Sequence, residues 1–399
     1  MEYNKKKTVI SSIVILLMFL TQGGGTYENA AVQATISAWP DVAASSIRMM
    51  ITLPSVVSMI AMLLVGNVVG KKISYRAVSA AGLICSVIGM VPCFFHPTWG
   101  TVLAFRVFLG IATGCFCIRN PLLVKTVPPQ ELAKYIGWGG VINNLLNVII
   151  NPVVGAMAEK NWSYAFYSNI ILVVVGVLAV AFLVEPAAEK AAASAGTAQT
   201  AGQKSAIPGK VIVYMILQFL ITVSLYPLLT GMSTFVVERG YGNAVVAGSL
   251  ISVYMVSGIV LNLLLPIVQK VCKSFTLAVA FAISGVGAAG VLFLPNFIAI
   301  AVCVFITGVG FMIVFSMFQV YNGLACKPDR VAFCSTLILA ANQLAIFASS
   351  YFITLSHRIF HRATEIESSF LGCVIVCLVL AVLTFIFKGK LIPAAPEES

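Results

Sequence analysis

Charge is what this sequence has least of. Charged residues fill 9% of its 399 positions, and only 13 of them are acidic. Soluble domains carry about 25% charged residues, so a water-soluble globular domain is excluded. Histidine is scarcer still, with 3 in the chain. The 10 cysteines lie mostly inside apolar runs, as Cys85, Cys303 and Cys373 do, and no C-x-x-C pair occurs. Neither a disulfide framework nor a zinc site is supported, and the thiols read as buried membrane residues. No phosphate-binding G-x-x-x-x-G-K-[ST] loop appears, which argues against an ATP-driven pump. H-E-x-x-H and G-x-S-x-G are missing too, so no hydrolase is indicated. We expect no enzyme activity, no cofactor and no metal.

Apolar length is what the chain has in abundance. It is 60% hydrophobic, with a mean hydropathy of +1.02. A membrane span needs about 20 mainly apolar residues. Twelve runs qualify or nearly so: Thr8–Ala31, Met49–Val69, Val78–Cys93, Val102–Thr126, Ala133–Ala156, Tyr164–Val184, Val211–Val236, Val245–Val268, Leu277–Leu294, Ile298–Tyr321, Val331–Leu355 and Phe370–Phe387. The third is short and extends into its flanks. Lys5, Lys6 and Lys7 before the first run resemble a signal peptide, but the run outlasts one and lacks a small-residue cleavage pattern, so it reads as a retained span. Residues 186–210, rich in Ala, Ser, Gly and Lys, read as a flexible linker between two halves, 1–185 and 211–399.

The net charge of +11 would point to nucleic acid in a soluble protein. Here the distribution decides, and no nucleic acid is expected. Nearly all Lys and Arg outside the spans fall on one side; the other side receives only Arg48, Lys160, Arg239, Arg358 and Arg362. By the positive-inside rule the rich side is cytoplasmic. Both termini and the linker are then inside, in a multi-pass protein of the cell's inner membrane.

The halves repeat. Pro129, Ala133 and Asn143 recur as Pro328, Ala332 and Asn342; Val57, Ser58 and Lys71 recur as Val256, Ser257 and Lys270; every pair is 199 residues apart. A parallel repeat of six spans points to a transporter whose site lies near midplane.

Two spans carry charges that hydrocarbon does not tolerate without reason. The fourth contains Arg106, roughly 9 Å in from Gly100 at a rise of about 1.5 Å per residue, and Arg119 further along. A guanidinium at mid-membrane costs roughly 3 kcal/mol on insertion scales. Arg106 reads as a proton relay or conformational switch, or as a structural group satisfied by carbonyls of neighbouring helices. Arg119 reads as the ligand for a carboxylate or phosphate, which its planar fork can grip with paired hydrogen bonds, or as a side chain snorkelling to headgroups. On the first span, Glu28 is the one acidic residue inside a run and follows Gln22-Gly23-Gly24-Gly25-Thr26-Tyr27. Consecutive glycines weaken a helix by about 1 kcal/mol each, and a broken span exposes backbone where a solute can meet it. Glu28 is therefore a candidate for proton or cation coupling; the alternative places it solvated at the outer mouth or paired with Arg48. Gln22 is a candidate substrate contact.

On the fifth span Asn143, Asn147 and Asn151 share one helix face and fit interhelical packing, with cavity lining as the alternative. On the seventh, Gln218, Thr222 and Tyr226 share a face, and Pro227 interrupts the helix where the glycines interrupt the first span. Tyr226 and, on the tenth span, Gln319 are candidate polar contacts to substrate. His357-x3-His361 has metal-ligand spacing but no acid or cysteine beside it, and reads as a solvated pair.

The whole pattern resembles the major facilitator superfamily. The resemblance rests on twelve spans, the 6+6 repeat, the central linker and local motifs. After the second span, Gly66-Asn-Val-Val-Gly70-Lys71-Lys72 keeps the first Gly and a base of the family's Gly-x-x-x-Asp-(Arg/Lys)-x-Gly-(Arg/Lys), and lacks its Asp. Arg106-Val-Phe-Leu109-Gly110 matches the Arg-x-x-Gln-Gly of proton-coupled members except for the Gln. Asn147-x-x-x-Asn151-Pro152-x-x-Gly155 is a degraded form of the antiporter pattern, and Asn161-Trp162-Ser163-Tyr164-Ala165-Phe166 resembles the usual start of the sixth span. The resemblance implies an all-α membrane protein of two six-helix bundles, with the first, fourth, seventh and tenth spans lining a central cavity. It implies a monomeric secondary transporter that moves a small organic solute by alternating access. Arg119 favours an organic anion, and Glu28 with Arg106 favours proton coupling. The alternative is a proton-coupled multidrug efflux antiporter, which the many Phe and Met side chains fit.

Overall fold

The structure is a computed structural model; it describes residues 2–24, 27–70, 72–95, 98–127, 129–185, 208–326 and 331–391. Among the described residues, 11 helices are long and apolar enough to cross a membrane, from Ile10–Ala38 to Glu365–Ile386. A shorter apolar helix, Tyr75–Gly89, occupies the place of the expected third span. Each of the twelve apolar runs thus has a helix. The protein is an integral, multi-pass bundle of α-helices.

The short helix is well anchored at its start. Ser74 caps it, accepting from the Ala77 N–H at 3.1 Å. Glu185, at the end of the sixth span, accepts from the N–H groups of Arg76 at 2.7 Å and Tyr75 at 3.2 Å. A carboxylate on the free N–H groups of a helix start is favourable both as a cap and against the helix dipole. Arg76 Nε in turn donates to the Leu183 carbonyl at 2.6 Å. Where the loop motif lacks its Asp, a different carboxylate, Glu185, three residues past the helix Ile170–Phe182, meets the start of this helix.

Chain breaks fall where the residue types require them. The first span opens with the helix Glu2–Leu17, tightens to a 3-10 turn over Met18–Gly23, and resumes as Tyr27–Ala31 and Val32–Ala38. The glycines thus interrupt this span as expected. The carbonyls freed there find local donors: Thr21 Oγ1 donates to Met18 O at 2.8 Å, and the Tyr27 hydroxyl donates to Leu20 O. The fourth span breaks between Trp99–Phe116 and Arg119–Thr126. Pro121 explains the position, because it offers no N–H to the Cys117 carbonyl four residues back and its ring crowds that carbonyl. In the seventh span the expected break at Pro227 is displaced. The helix Gly209–Thr230 runs through Pro227 and pauses at Gly231, whose N–H closes onto the Pro227 carbonyl at 2.7 Å, before Met232–Glu238 begins.

The chain folds into two compact units. The first comprises Met1–Lys190 with Val236–Ser252, the second Ala191–Phe235 with Val253–Ser399. Within the first, small residues let backbones approach. A Cβ on Gly114 would lie 2.4 Å from Ala61 Cβ and 2.9 Å from Ser58 O. A Cβ on Gly110 would meet Val57 and the Pro54 carbonyl. Tight small-residue faces are how membrane helices associate when lipid is as apolar as leucine. Gly114→Val is therefore expected to lower the melting temperature in detergent, an overpacking cost of about 1–3 kcal/mol. Gly137→Val, where an added Cβ meets nothing within 4 Å, is the matched control and should leave it nearly unchanged. In the second unit, Tyr214, Phe281 and Phe318 are fully buried in one apolar core.

Candidate functional site

Prolines prepare the first unit's polar centre. Pro54 lies inside the helix Ala44–Val68. It provides no N–H, so the Met50 carbonyl four residues earlier lacks its helical donor. Arg106 Nε supplies one, at 2.8 Å. The same device recurs at Pro152, inside the helix Pro129–Lys160, where Ser252 Oγ donates to the Val148 carbonyl at 2.7 Å. Freed carbonyls in a membrane need such partners.

The rest of the Arg106 guanidinium faces Glu28. Nη1 donates to Glu28 Oε1 at 3.0 Å and Nη2 to Oε2 at 3.4 Å, a forked pair with both side chains at 0–1% exposure. Asn169 Nδ2 donates to the same Oε1 at 2.6 Å and to the Phe166 carbonyl at 3.1 Å. The Phe166 ring lies 5.3 Å from the guanidinium carbon. The two charges that the sequence placed in hydrocarbon thus neutralise one another inside protein. This overturns the alternative of a solvated Glu28, or one paired with Arg48.

Arg119 is different. It is 7% exposed, and its described neighbours carry no formal negative charge within bonding distance. Nη1 donates to the Phe116 carbonyl at 3.3 Å and approaches Cys117 Sγ at 3.9 Å. The Phe19 ring faces the guanidinium at 5.2 Å. Nε is buried without a hydrogen-bond partner among the described residues. Tyr27 lies close enough to feel the charge of both Glu28 and Arg119. Arg119 therefore does not snorkel out of the fold.

The remaining expected residues fall in both units. Gln22 is exposed on the 3-10 turn of the first span. Tyr226 and Gln319 are half-buried in the second unit, and Gln319 Nε2 has no partner among the described residues. The asparagine ladder does not reach across helices as expected. Asn147 Nδ2 donates to the Asn143 carbonyl at 2.9 Å and Asn151 Nδ2 to the Asn147 carbonyl at 2.6 Å. Spacing by four puts each amide within reach of its own helix. The histidine pair also separates: His361 lies just past the helix Val331–Phe360, with φ +46°, while His357 Nδ1 meets Ser368 Oγ at 3.1 Å. A cavity of about 660 Å³, lined by Gln33, Glu159, Lys160 and Trp162 among others, lies elsewhere in the first unit and touches none of the charged residues above.

The sequence profile of the Major Facilitator Superfamily matches residues 10–350. The chain belongs to this superfamily. No curated protein sequence matches it. Solved structures share the fold at low identity. A bacterial homologue of the human lysosomal transporter Spinster, inward-facing and occupied, superposes with a TM-score of 0.71 over 100% of both chains, at 13% identity. A peptide transporter POT in complex with sulfate gives 0.73 over 96% of each chain at 12% identity. The nucleoside transporter NupG gives 0.66 over 95% of this chain and 99% of its own, also at 13%. Membership makes the protein a secondary transporter of the membrane and not an enzyme.

The partners of Arg106 are what sequence reasoning missed. Asn169 and Phe166, both on the sixth span, and the Met50 carbonyl on the second come from two other stretches of chain. Pro54 was the available signal, since a proline inside a membrane helix marks a carbonyl in need of a donor. Pro121 carried a similar signal for the break beside Arg119.

Proposed function

We propose that this superfamily member moves a small organic anion by alternating access, coupled to protons. Its moving halves are those of the repeat, 1–185 and 211–399, joined by 186–210. Both termini and that joining segment lie on the cytoplasmic side of the inner membrane, and the monomer is the working unit. The observation that carries the anion reading is Arg119. A buried guanidinium that, among the described residues, has no partner for Nε and meets a carbonyl, a thiol and a ring is short of one negative charge. A carboxylate or phosphate would supply that charge with paired hydrogen bonds. The forked Glu28–Arg106 pair supports the coupling reading. Protonating Glu28 leaves Arg106 with a weaker acceptor, and that alters what holds the first, second, fourth and sixth spans together.

The test is uptake into proteoliposomes loaded at different internal pH, against panels of organic anions, sugars, amino acids and cationic drugs. The expected result is concentrative uptake of an anion, driven by a proton gradient and lost in Arg119→Lys. Accumulation that stays pH-dependent in Glu28→Gln would remove Glu28 from coupling. Transport of cationic drugs with no anion taken up would replace the whole reading with drug efflux.

A further inference from the structure

In the second unit three uncharged side chains close a small polar ring. Gln218 Nε2 donates to Thr222 Oγ1 at 2.8 Å and to Asn342 Oδ1 at 3.0 Å. The Thr222 hydroxyl donates to the same Asn342 oxygen at 2.8 Å. Gln218 is 0% exposed and Thr222 1%, whereas Asn342 is half-buried. Counting donors and acceptors shows what is left over. Both N–H groups of Gln218 are used, and both lone pairs of Asn342 Oδ1 are filled. Gln218 Oε1 is buried with no partner among the described residues. No described group accepts from Asn342 Nδ2. The ring therefore leaves unused an acceptor oxygen, Gln218 Oε1, and the two N–H donors of Asn342 Nδ2, while two bonds hold Asn342 Oδ1.

A polar network closed on itself would leave nothing spare. A buried carbonyl oxygen without a donor is costly, and a half-exposed amide inside the apolar helix Cys334–Phe360 does not belong against lipid. Both facts are accounted for when Asn342 fronts a water-filled path and the ring receives a ligand group. A hydroxyl donates and accepts at a single oxygen, so it can answer a donor and an acceptor together. The repeat sharpens the contrast. The residues 199 positions earlier than Gln218 and Thr222 are Phe19 and Gly23, which offer an aromatic face and bare backbone. Asn342 matches Asn143, so the contrast between the units lies at Phe19 and Gly23.

We infer that Gln218, Thr222 and Asn342 form a specificity subsite for an uncharged hydroxyl of the solute. Combined with the anion reading above, on which only the charge of the solute rests, the substrate class becomes a hydroxylated organic anion. The hydroxyl preference itself does not depend on charge. Sites built to hydrogen-bond a substrate group discriminate strongly against the analogue that lacks it.

The experiment uses purified full-length protein in nanodiscs and matched ligand pairs: lactate against propionate, malate against succinate, and the neutral pair ribose against 2-deoxyribose. In the wild type the hydroxylated member of at least one pair should bind at least about tenfold more tightly. Thr222→Val, which keeps shape, and Asn342→Leu should each reduce that ratio to less than about threefold, while Arg119→Gln should weaken the acids and leave the ratio alone. Preference confined to the neutral pair would sustain the subsite and defeat the anion reading. The subsite is overturned by equal binding within every wild-type pair, by variants that weaken both members of a pair alike, or by variants whose only change is a lower melting temperature.

Discussion

Glu28→Leu is expected to destabilise the purified protein by about 3–5 kcal/mol, seen as a large fall in melting temperature, because it strands Arg106 in a dry interior. A guanidinium cannot shed its proton, so no titration relieves the fault. The Met50 carbonyl and the Phe166 ring still face it, but neither carries a compensating charge. Arg106→Met should be milder. The carboxyl left behind can take up a proton, and Asn169 still donates to it. The double variant, Glu28→Leu with Arg106→Met, should recover most of the loss, since replacing both members of a buried pair by apolar groups is often near neutral. The ordering of the three melting temperatures is the measurement. Equal effects of the two single changes, or a double variant at the sum of both, would mean that the forked geometry does not bind the spans together. Transport should fail in all three, including the stable double variant. That separates the pair's part in folding from its part in movement.

The positions of the charges were legible in the sequence, and their pairing was not. Glu28 stands out because nothing else in its run is ionised, and Arg106 because it lies deep in a run whose other charges, Arg119 and Lys125, fall toward one end. Glu28 and Arg106 lie 78 residues apart, and Asn169 lies 141 from Glu28. Periodicity works over a few turns and says nothing at such separations. Local breakers were read with mixed success. The glycines before Tyr27 interrupt the first span as their cost predicts. Pro227 instead sits within its helix, because a proline removes one bond of a ladder that the rest of a buried helix can sustain, and the pause moves to Gly231. The asparagine ladder shows the limit of reading a face from spacing. Four residues apart means one face, and it also means an amide within reach of the carbonyl one turn back. The Gln218–Thr222 pair has the same spacing but reaches outward, because Asn342 of another helix offers its oxygen at 2.8–3.0 Å. Whether a neighbour comes close enough is a property of packing, which a single sequence does not print.

Arg119→Gln should do the opposite of Glu28→Leu. Arg106 is neutralised by Glu28, whereas among the described residues Arg119 meets a carbonyl, a sulfur and an aromatic face and leaves Nε unsatisfied. Holding an uncompensated charge under cover costs stability, so removing it should leave the melting temperature unchanged or raise it. The glutamine amide can still donate to the Phe116 carbonyl, which keeps the break in the fourth span satisfied. Anion binding should nevertheless fall by about 2–5 kcal/mol, roughly 30- to 5,000-fold, the cost of withdrawing one partner from a desolvated charge pair. Arg119→Lys should bind anion more tightly than Arg119→Gln but too weakly to sustain uptake, since it keeps the charge and loses the planar fork and the stacking on Phe19. Titration of ligand into wild-type and variant protein, with melting curves on the same samples, reads both quantities. The same samples also report whether ligand raises the melting temperature of the wild type and not of Arg119→Gln, as binding to the native state requires. Loss of stability in Arg119→Gln with anion affinity intact would make this residue a structural prop of the kinked fourth span. A more stable protein that no longer holds an anion would show that this buried charge is kept for its ligand at the expense of the fold.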